Sequence, residues 1–184
     1  MKQAQILLEE VTKWAEDQPG IIGVALVGSY ARGEARVDSD IDLVLLAARP
    51  QDFINKPAWI NQFGAVKSYT VEDWGLVTSL RVYYEDGLEV EYGLTSSEWA
   101  EEPIDDGTYR VISDGMRIFL DREGLLGRAL EIAAVPNLRD VGGYEKQDGA
   151  LKANRVSSSW QLGTTSRIKA EIGEISARGN MYLP

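Results

Sequence analysis

Residues 27–43 read VGSYARGEARVDSDIDL and place two acidic residues, Asp40 and Asp42, one position apart at the start of an apolar run. A carboxylate that leaves water without a cation or hydrogen bonds costs several kcal/mol. Buried strands seldom begin with two unpaired acids. The pair therefore indicates that a positively charged partner binds at this point of the chain.

The segments on either side predict two strands that frame the acidic pair. The apolar run 21–27 predicts a buried strand, residues 30–36 a short helix, and residues 40–46 a second strand. Residues i and i+2 of a strand share a face, so Asp40 and Asp42 converge. One or two Mg²⁺ ions, which prefer oxygen ligands and enter with substrate phosphates, would relieve the repulsion.

A Gly-Ser turn stands between the first strand and the short helix. The backbone N–H groups of Gly28 and Ser29, together with the Ser29 hydroxyl, can hold a phosphate there. The sequence thus predicts a phosphate-binding turn and an acidic pair on adjacent strands.

A later hairpin offers a third carboxylate. Residues 76–85 and 88–95 predict two strands, joined by an Asp-Gly dipeptide that is typical of hairpin turns. Alternation puts the apolar residues on one face and four polar residues on the other, namely Arg81, Tyr83, Glu89 and Glu91. Either glutamate could join the acidic pair. The alternative is a solvated face on which Arg81 pairs with the glutamates, and the pattern leaves the choice open.

The remaining segments complete one domain, predicted over residues 1–135. Further elements are expected as a helix over 2–17, partly helical structure over 51–62, short strands over 109–112 and 116–120, and a helix near 123–134. Residues 136–184 are rich in Ser, Gly and Thr and contain few large apolar residues. This composition predicts a loosely packed C-terminal extension.

The composition of the 184 residues narrows the chemistry. Cysteine and histidine are both absent, which excludes disulfides, Cys/His zinc sites and a histidine base. The net charge of -10 argues against a nonspecific nucleic-acid binder and suits metal ions or a cationic partner, although it is also typical of plain solubility. No apolar run is long enough to span a membrane and the first residues include acids, so we expect a cytoplasmic protein.

The quoted residues resemble a known signature. Gly28-Ser29 followed by Asp40-Ile41-Asp42 resembles the pattern of the polymerase-beta-type nucleotidyltransferase superfamily. The flanking residues 30–33 and Ser39 resemble its bacterial branch, which includes the minimal and the aminoglycoside nucleotidyltransferases. The resemblance implies an α+β fold, with a small mixed β-sheet flanked by helices.

The resemblance also implies an activity. Two Mg²⁺ ions would support transfer of a nucleoside monophosphate from a nucleoside triphosphate, with ATP expected, to a hydroxyl group. The third metal ligand of such enzymes lies on a later strand, where Glu91 fits best and Glu89 is the second choice. Asp40, Asp42 and Glu91 would then bind metal, and one of the two glutamates, or the metal itself, would promote deprotonation of the acceptor.

Nucleotide transfer of this kind also needs groups that hold the triphosphate. Gly28 and Ser29 would grip it, and Arg32 or Lys67 would neutralise phosphate charge, although each of these cations is also typical of an ordinary surface. The expected acceptor is a small, cationic, aminoglycoside-like molecule. Alternatives are adenylylation of a protein partner and a non-catalytic binding or regulatory module, which the intact Asp40 and Asp42 disfavour. No nucleic-acid or membrane partner is expected, and an oligomer is left open.

Overall fold

Five α-helices and six strands make up residues 2–134, the part of the chain that the computed structural model describes. Two 3₁₀ segments, Pro57–Phe63 and Ser97–Ala100, complete it. In chain order the elements are α1 (Lys2–Glu16), β1 (Ile21–Val27), α2 (Gly28–Arg32), β2 (Ile41–Ala47), α3 (Pro50–Ile54), β3 (Val66–Asp73), β4 (Thr78–Tyr84), β5 (Glu89–Thr95), α4 (Asp106–Asp114), β6 (Arg117–Asp121) and α5 (Leu125–Ala134). The extension predicted for residues 136–184 lies outside the described residues.

The six strands form one mixed sheet in the order β3-β4-β5-β2-β1-β6. β2 and β5 run parallel, and the other neighbours in the sheet are antiparallel. The parallel pair lies at the centre of the sheet and aligns Asp42 of β2 with Glu91 of β5. The expected α+β fold with a small mixed sheet is confirmed.

Alternate residues of the central strands enter two separate cores. Ile41, Leu43 and Leu45 of β2 pack in a cluster that includes residues of α1 and the 3₁₀ segment Pro57–Phe63. Val44 and Leu46 of β2 pack in a second cluster with residues of α4, α5 and the segment Ser97–Ala100. Asp42 shares the face of Val44 and Leu46, so its carboxylate belongs to this second face.

Most sequence predictions of secondary structure are confirmed. The helix near the start, strands β1 and β2, the hairpin of β4 and β5, strand β6 and helix α5 all lie within two residues of the expected bounds. The short helix α2 begins at Gly28 rather than Tyr30 and ends at Arg32, because Gly33 adopts a left-handed conformation with φ of 75° and closes the helix.

Two segments differ from the predictions. Residues 109–112, expected as a strand, belong to helix α4. The Asp105 side chain caps this helix by accepting hydrogen bonds from the backbone N–H groups of Gly107 and Thr108. Thr108 and Ile112, four residues apart, are its buried side chains. Strand β3 was not expected, since it is an edge strand whose residues are largely exposed and show no hydrophobic face.

Within residues 2–134, no helix combines the length and the apolar character that crossing a membrane requires.

Candidate active site

Three carboxylates meet on the second face of the sheet. Asp40 lies just before β2, Asp42 lies on β2, and Glu91 lies opposite Asp42 on β5. Each offers a carboxylate oxygen, and these oxygens all lie within 4.8 Å of one another. We call these three residues the acid group. All are partly exposed, so a cation from solvent can reach them.

The electrostatics of the acid group favour a bound cation. Burial, and then the nearby charges of Asp40 and Glu91, raise the pKa of Asp42 from its usual value of 3.8 to about 7. Arg81 and Arg32 oppose this shift and do not cancel it. A divalent cation would stabilise the ionised carboxylate that the protein alone disfavours.

Glu91 is held from both sides. The Ser79 hydroxyl donates to Glu91 Oε1 at 2.7 Å, and Arg81 Nη2 donates to Glu91 Oε2. Arg81 lies opposite Glu91 in the antiparallel pairing of β4 with β5, which explains the contact. The orientation of this carboxylate is therefore fixed by the neighbouring strand.

Gly28 allows the turn after β1 to pass against the acid group. Its φ is 66°, a conformation that favours glycine, and a Cβ built on it would lie 2.0 Å from Asp42 Oδ2. No side chain larger than hydrogen fits this space unless Asp42 moves. The backbone of the turn consequently lies directly beside a carboxylate of the acid group.

The next residue carries a buried polar atom without a partner. Ser29 Oγ makes no hydrogen bond among residues 2–134 and is almost inaccessible to solvent. A buried hydroxyl of this kind is costly unless something else satisfies it. The all-oxygen acid group, the space kept free at Gly28 and this hydroxyl fit a divalent cation with a phosphate group.

A cavity of about 430 Å³ opens at the same place. Asp42, Glu91 and Gly28 contribute to its lining, as do Arg32 and Asp114. Apolar side chains form much of the remaining lining, chiefly Val44, Trp74, Val77, Trp99 and Val111. The acid group therefore borders a space large enough for a small organic molecule.

Residues 7–94 match the family model described as a nucleotidyltransferase domain. This range includes the Gly28-Ser29 turn, the acid group and nearly all of the hairpin of β4 and β5. This segment of the chain is similar to nucleotidyltransferase domains. Comparison with curated proteins finds no match. Among solved structures, an aminoglycoside 6-adenyltransferase from Bacillus subtilis is similar, with 18% sequence identity and a TM-score of 0.44. The similarity covers 54% of this chain and 37% of that one.

Three further residues expected from the sequence in this site lie outside the acid group. Arg32 lines the cavity, and its Nε donates to Glu34 at 2.8 Å. Glu89 lies outside the acid group, and its carboxylate accepts from Arg81 at 2.7 Å. Lys67 lies on β3 and lines a different cavity beside the 3₁₀ segment Pro57–Phe63. The structure thus brings Arg32, but not Lys67, to the cavity of the acid group.

Several cavity residues were not singled out from the sequence. Trp99 and Val111 follow the matched segment in the chain and reach the cavity because α4 and the segment Ser97–Ala100 cover the second face of the sheet. Trp74 lies between β3 and β4 and remains 66% exposed. In the sequence, the available signal was a tryptophan within a polar stretch, Glu72-Asp73-Trp74-Gly75, since tryptophan is enriched at binding surfaces.

Proposed function

We propose that the chain transfers a nucleoside monophosphate from a nucleoside triphosphate to a hydroxyl group of an acceptor. The observation that carries the proposal is the position of the acid group, which lies against the Gly28-Ser29 turn and opens into the cavity. Such an arrangement supports metal-dependent transfer of a phosphoryl-type group better than any other reaction. The absence of histidine leaves carboxylates and metal as the means of activating the acceptor.

The proposed roles follow from the contacts. Asp40, Asp42 and Glu91 would hold two Mg²⁺ ions. When bound, these ions would lower the pKa of the acceptor hydroxyl and stabilise charge on the leaving pyrophosphate. Ser29 donates its hydroxyl hydrogen to a phosphate oxygen, which satisfies the buried atom. Gly28 keeps the turn close enough for this contact.

The cavity supports a nucleotide as the donor. Trp74, Val77 and Trp99 offer apolar and aromatic surface of the kind on which a planar base packs. Arg32 adds a positive charge to the lining on the side of the phosphate-binding turn. We propose ATP as the donor, and the nucleotide titration described below tests that preference.

We further propose that the acceptor is a small cationic molecule of the aminoglycoside kind. The lining also contains Asp114, a carboxylate that does not belong to the acid group. The Asp114 carboxylate has no hydrogen-bond or ion-pair partner among residues 2–134, so it is available to an amine. The net charge of -10 acts in the same direction, because it raises the local concentration of cations.

Calorimetric titration tests the donor half of the proposal. ATP, GTP, CTP and UTP are titrated with and without Mg²⁺ into the wild type and into Asp42→Asn, which removes one charge of the acid group and keeps its shape. We expect Mg²⁺-dependent binding of at least one triphosphate, with ATP tightest, and loss of that binding in the variant. Triphosphate binding that ignores both Mg²⁺ and the variant would contradict the assigned site.

The bound nucleotide then allows the acceptor to be tested. Pyrophosphate release is measured with the preferred triphosphate while aminoglycosides are supplied as cationic acceptors and neutral sugars of similar size as matched controls. We expect release with the cationic set only, and Asp114→Asn should raise the acceptor KM with little change in kcat. Equal release with neutral sugars would contradict a cationic acceptor.

A further inference from the structure

Arg81 of β4 bonds to four carboxylates at once. Its Nη1 donates to Asp40 Oδ2 at 3.1 Å and to Glu89 Oε1 at 2.7 Å. Its Nε donates to Glu72 Oε1 at 3.3 Å, and its Nη2 donates to Glu91 Oε2. The side chain is 23% exposed, so these ion pairs are partly shielded from solvent and are stronger than ordinary surface pairs.

Two of these four partners belong to the acid group. Arg81 takes one oxygen of Asp40 and one of Glu91, and the second oxygen of Glu91 already accepts from Ser79. Both oxygens of Glu91 are therefore engaged in hydrogen bonds. The Asp42 carboxylate, by contrast, has no hydrogen bond or ion pair among residues 2–134.

A cation that binds the acid group must compete with the guanidinium for the same oxygens. Arg81 and a metal ion both require negative charge on Asp40 and Glu91, and they repel each other at close range. The other two partners, Glu72 and Glu89, lie outside the acid group. Arg81 therefore retains partners when it gives up Asp40 and Glu91, which lowers the cost of its release.

We propose that Arg81 is a positioning residue that occupies Asp40 and Glu91 while the site is empty and so admits a divalent cation only together with a triphosphate. This inference rests on the proposed function of the acid group. A divalent ion without a triphosphate has only the protein carboxylates as charged ligands, so it must displace the guanidinium from Asp40 and Glu91. An ion that arrives with a triphosphate brings phosphate oxygens as further ligands and needs fewer protein oxygens.

The test measures Mn²⁺ binding with and without ATP. The electron paramagnetic resonance signal of the free ion reports how much Mn²⁺ remains unbound. The wild type is compared with Arg81→Gln and with Arg49→Gln, which removes an exposed arginine paired with Asp52 and so matches the change in net charge. Without ATP, we expect Arg81→Gln to bind Mn²⁺ at least about tenfold more tightly than the wild type, because a positive charge beside the ion is gone. Arg49→Gln should match the wild type.

With ATP present, the difference between Arg81→Gln and the wild type should shrink to less than about threefold, since the triphosphate already overcomes the guanidinium. A purely structural clamp predicts the opposite, because its removal would loosen the ligands and weaken Mn²⁺ binding. Unchanged or weaker Mn²⁺ binding by Arg81→Gln without ATP would therefore overturn the inference.

A second variant keeps the inference testable if Arg81→Gln does not fold. Arg81→Lys keeps the charge but loses the planar fork that bridges several carboxylates. It should bind Mn²⁺ alone more tightly than the wild type, and equal or weaker binding would overturn the inference. The wild-type titration with Mn²⁺ and ATP separates the two proposals. If the wild type binds Mn²⁺ with ATP and neither variant changes Mn²⁺ binding, only the role of Arg81 is overturned. If the wild type binds no Mn²⁺ with ATP, the proposed function is overturned as well.

Discussion

The two faces of the sheet are built from the same strands but differ in how their polar groups are paired. On the first face, Trp14 stacks on Trp59 at 4.7 Å, Trp59 meets Tyr92 edge-on, and the Tyr84 hydroxyl lies 2.9 Å from that of Tyr92 and donates to a backbone oxygen. On the second face, Asp42 and the Ser29 hydroxyl lack hydrogen-bond partners among residues 2–134. The polar groups named on the first face are paired within the protein, whereas those on the second face are left for a ligand, as the proposed function requires.

This difference shows how alternation divides two tasks within one strand. Ile41 is fully buried in the first core, while its neighbour Asp42 borders the cavity. Substitutions on the first face should therefore change stability, and substitutions around the acid group should change activity and ligand binding. The following predictions test that division, beginning with the largest expected effect.

Glu91→Gln should lower the rate of nucleotide transfer by about 10³-fold, equivalent to about 4 kcal/mol, because it removes a charge from the acid group. Its thermal unfolding should change little, because the lost ion pair with Arg81 is offset by weaker repulsion among the carboxylates of the acid group. Glu89→Gln is the matched control on the same strand and should cost less than about tenfold. Steady-state kinetics of both variants checks the ranking, and the reverse order would assign the third ligand to Glu89.

Trp59→Ala should destabilise the fold by about 3–5 kcal/mol, because it empties a site in the aromatic cluster of the first face. Under conditions where the variant remains folded, its affinity for a triphosphate should stay close to that of the wild type. Urea unfolding and calorimetry measure the two quantities. A lost affinity in a folded variant would show that the two faces are coupled.

The pH dependence of stability should expose the strain at Asp42. The folded protein holds the Asp42 proton more tightly than the unfolded chain does, with a pKa of about 7 against 3.8. This contribution to stability is therefore fully present below the unfolded pKa and is lost as the pH rises through about 7. In metal-free buffer, Asp42→Asn escapes the loss.

The melting temperature of Asp42→Asn relative to the wild type should therefore increase between about pH 5 and about pH 8. Melting curves in the presence of a chelator measure this difference, and every other titrating group is common to both proteins. A constant difference over the range would show that the Asp42 carboxyl is not strained. Added Mg²⁺ with ATP should stabilise the wild type most at the higher pH.

Ser29→Ala should have the smallest effect, and its effects on stability and on triphosphate binding should have opposite signs. Removing a buried hydroxyl without a partner should leave the free protein as stable as the wild type or more stable, by up to about 1 kcal/mol. The same change should weaken triphosphate binding by roughly tenfold, since a hydrogen bond to charged phosphate is lost. Unchanged binding would remove Ser29 from the phosphate-binding turn.

Local patterns predicted much of the site. The spacing of Asp40 and Asp42 and the alternation of the hairpin bring three carboxylates to one face, because strand geometry has a fixed period of two. The sequence left Glu89 and Glu91 equivalent, since both lie on that face. The parallel register of β5 against β2, which places Glu91 opposite Asp42, is a contact between distant segments that no local pattern contains.

Other features depended on such distant contacts or on weak local signals. The four ion pairs of Arg81 join three strands and the residue before β2, and the alternation of the hairpin indicates only its pairing with the glutamates of β5. The cavity residues Trp99 and Val111 come from segments whose place over the sheet could not be read from composition. The sequence predicts a strand at residues 109–112 because Tyr109 and Val111 favour strands, whereas the Asp105 cap and the packing of Ile112 favour helix α4.

Crystals grown with Mn²⁺ and a non-hydrolysable ATP analogue offer the most direct test of the central claim, because anomalous scattering locates the metal independently of its ligands. We predict an anomalous peak bounded by oxygens of Asp40, Asp42 and Glu91, with the triphosphate accepting a hydrogen bond from Ser29. A peak elsewhere, or a triphosphate bound away from the Gly28-Ser29 turn, would contradict the account.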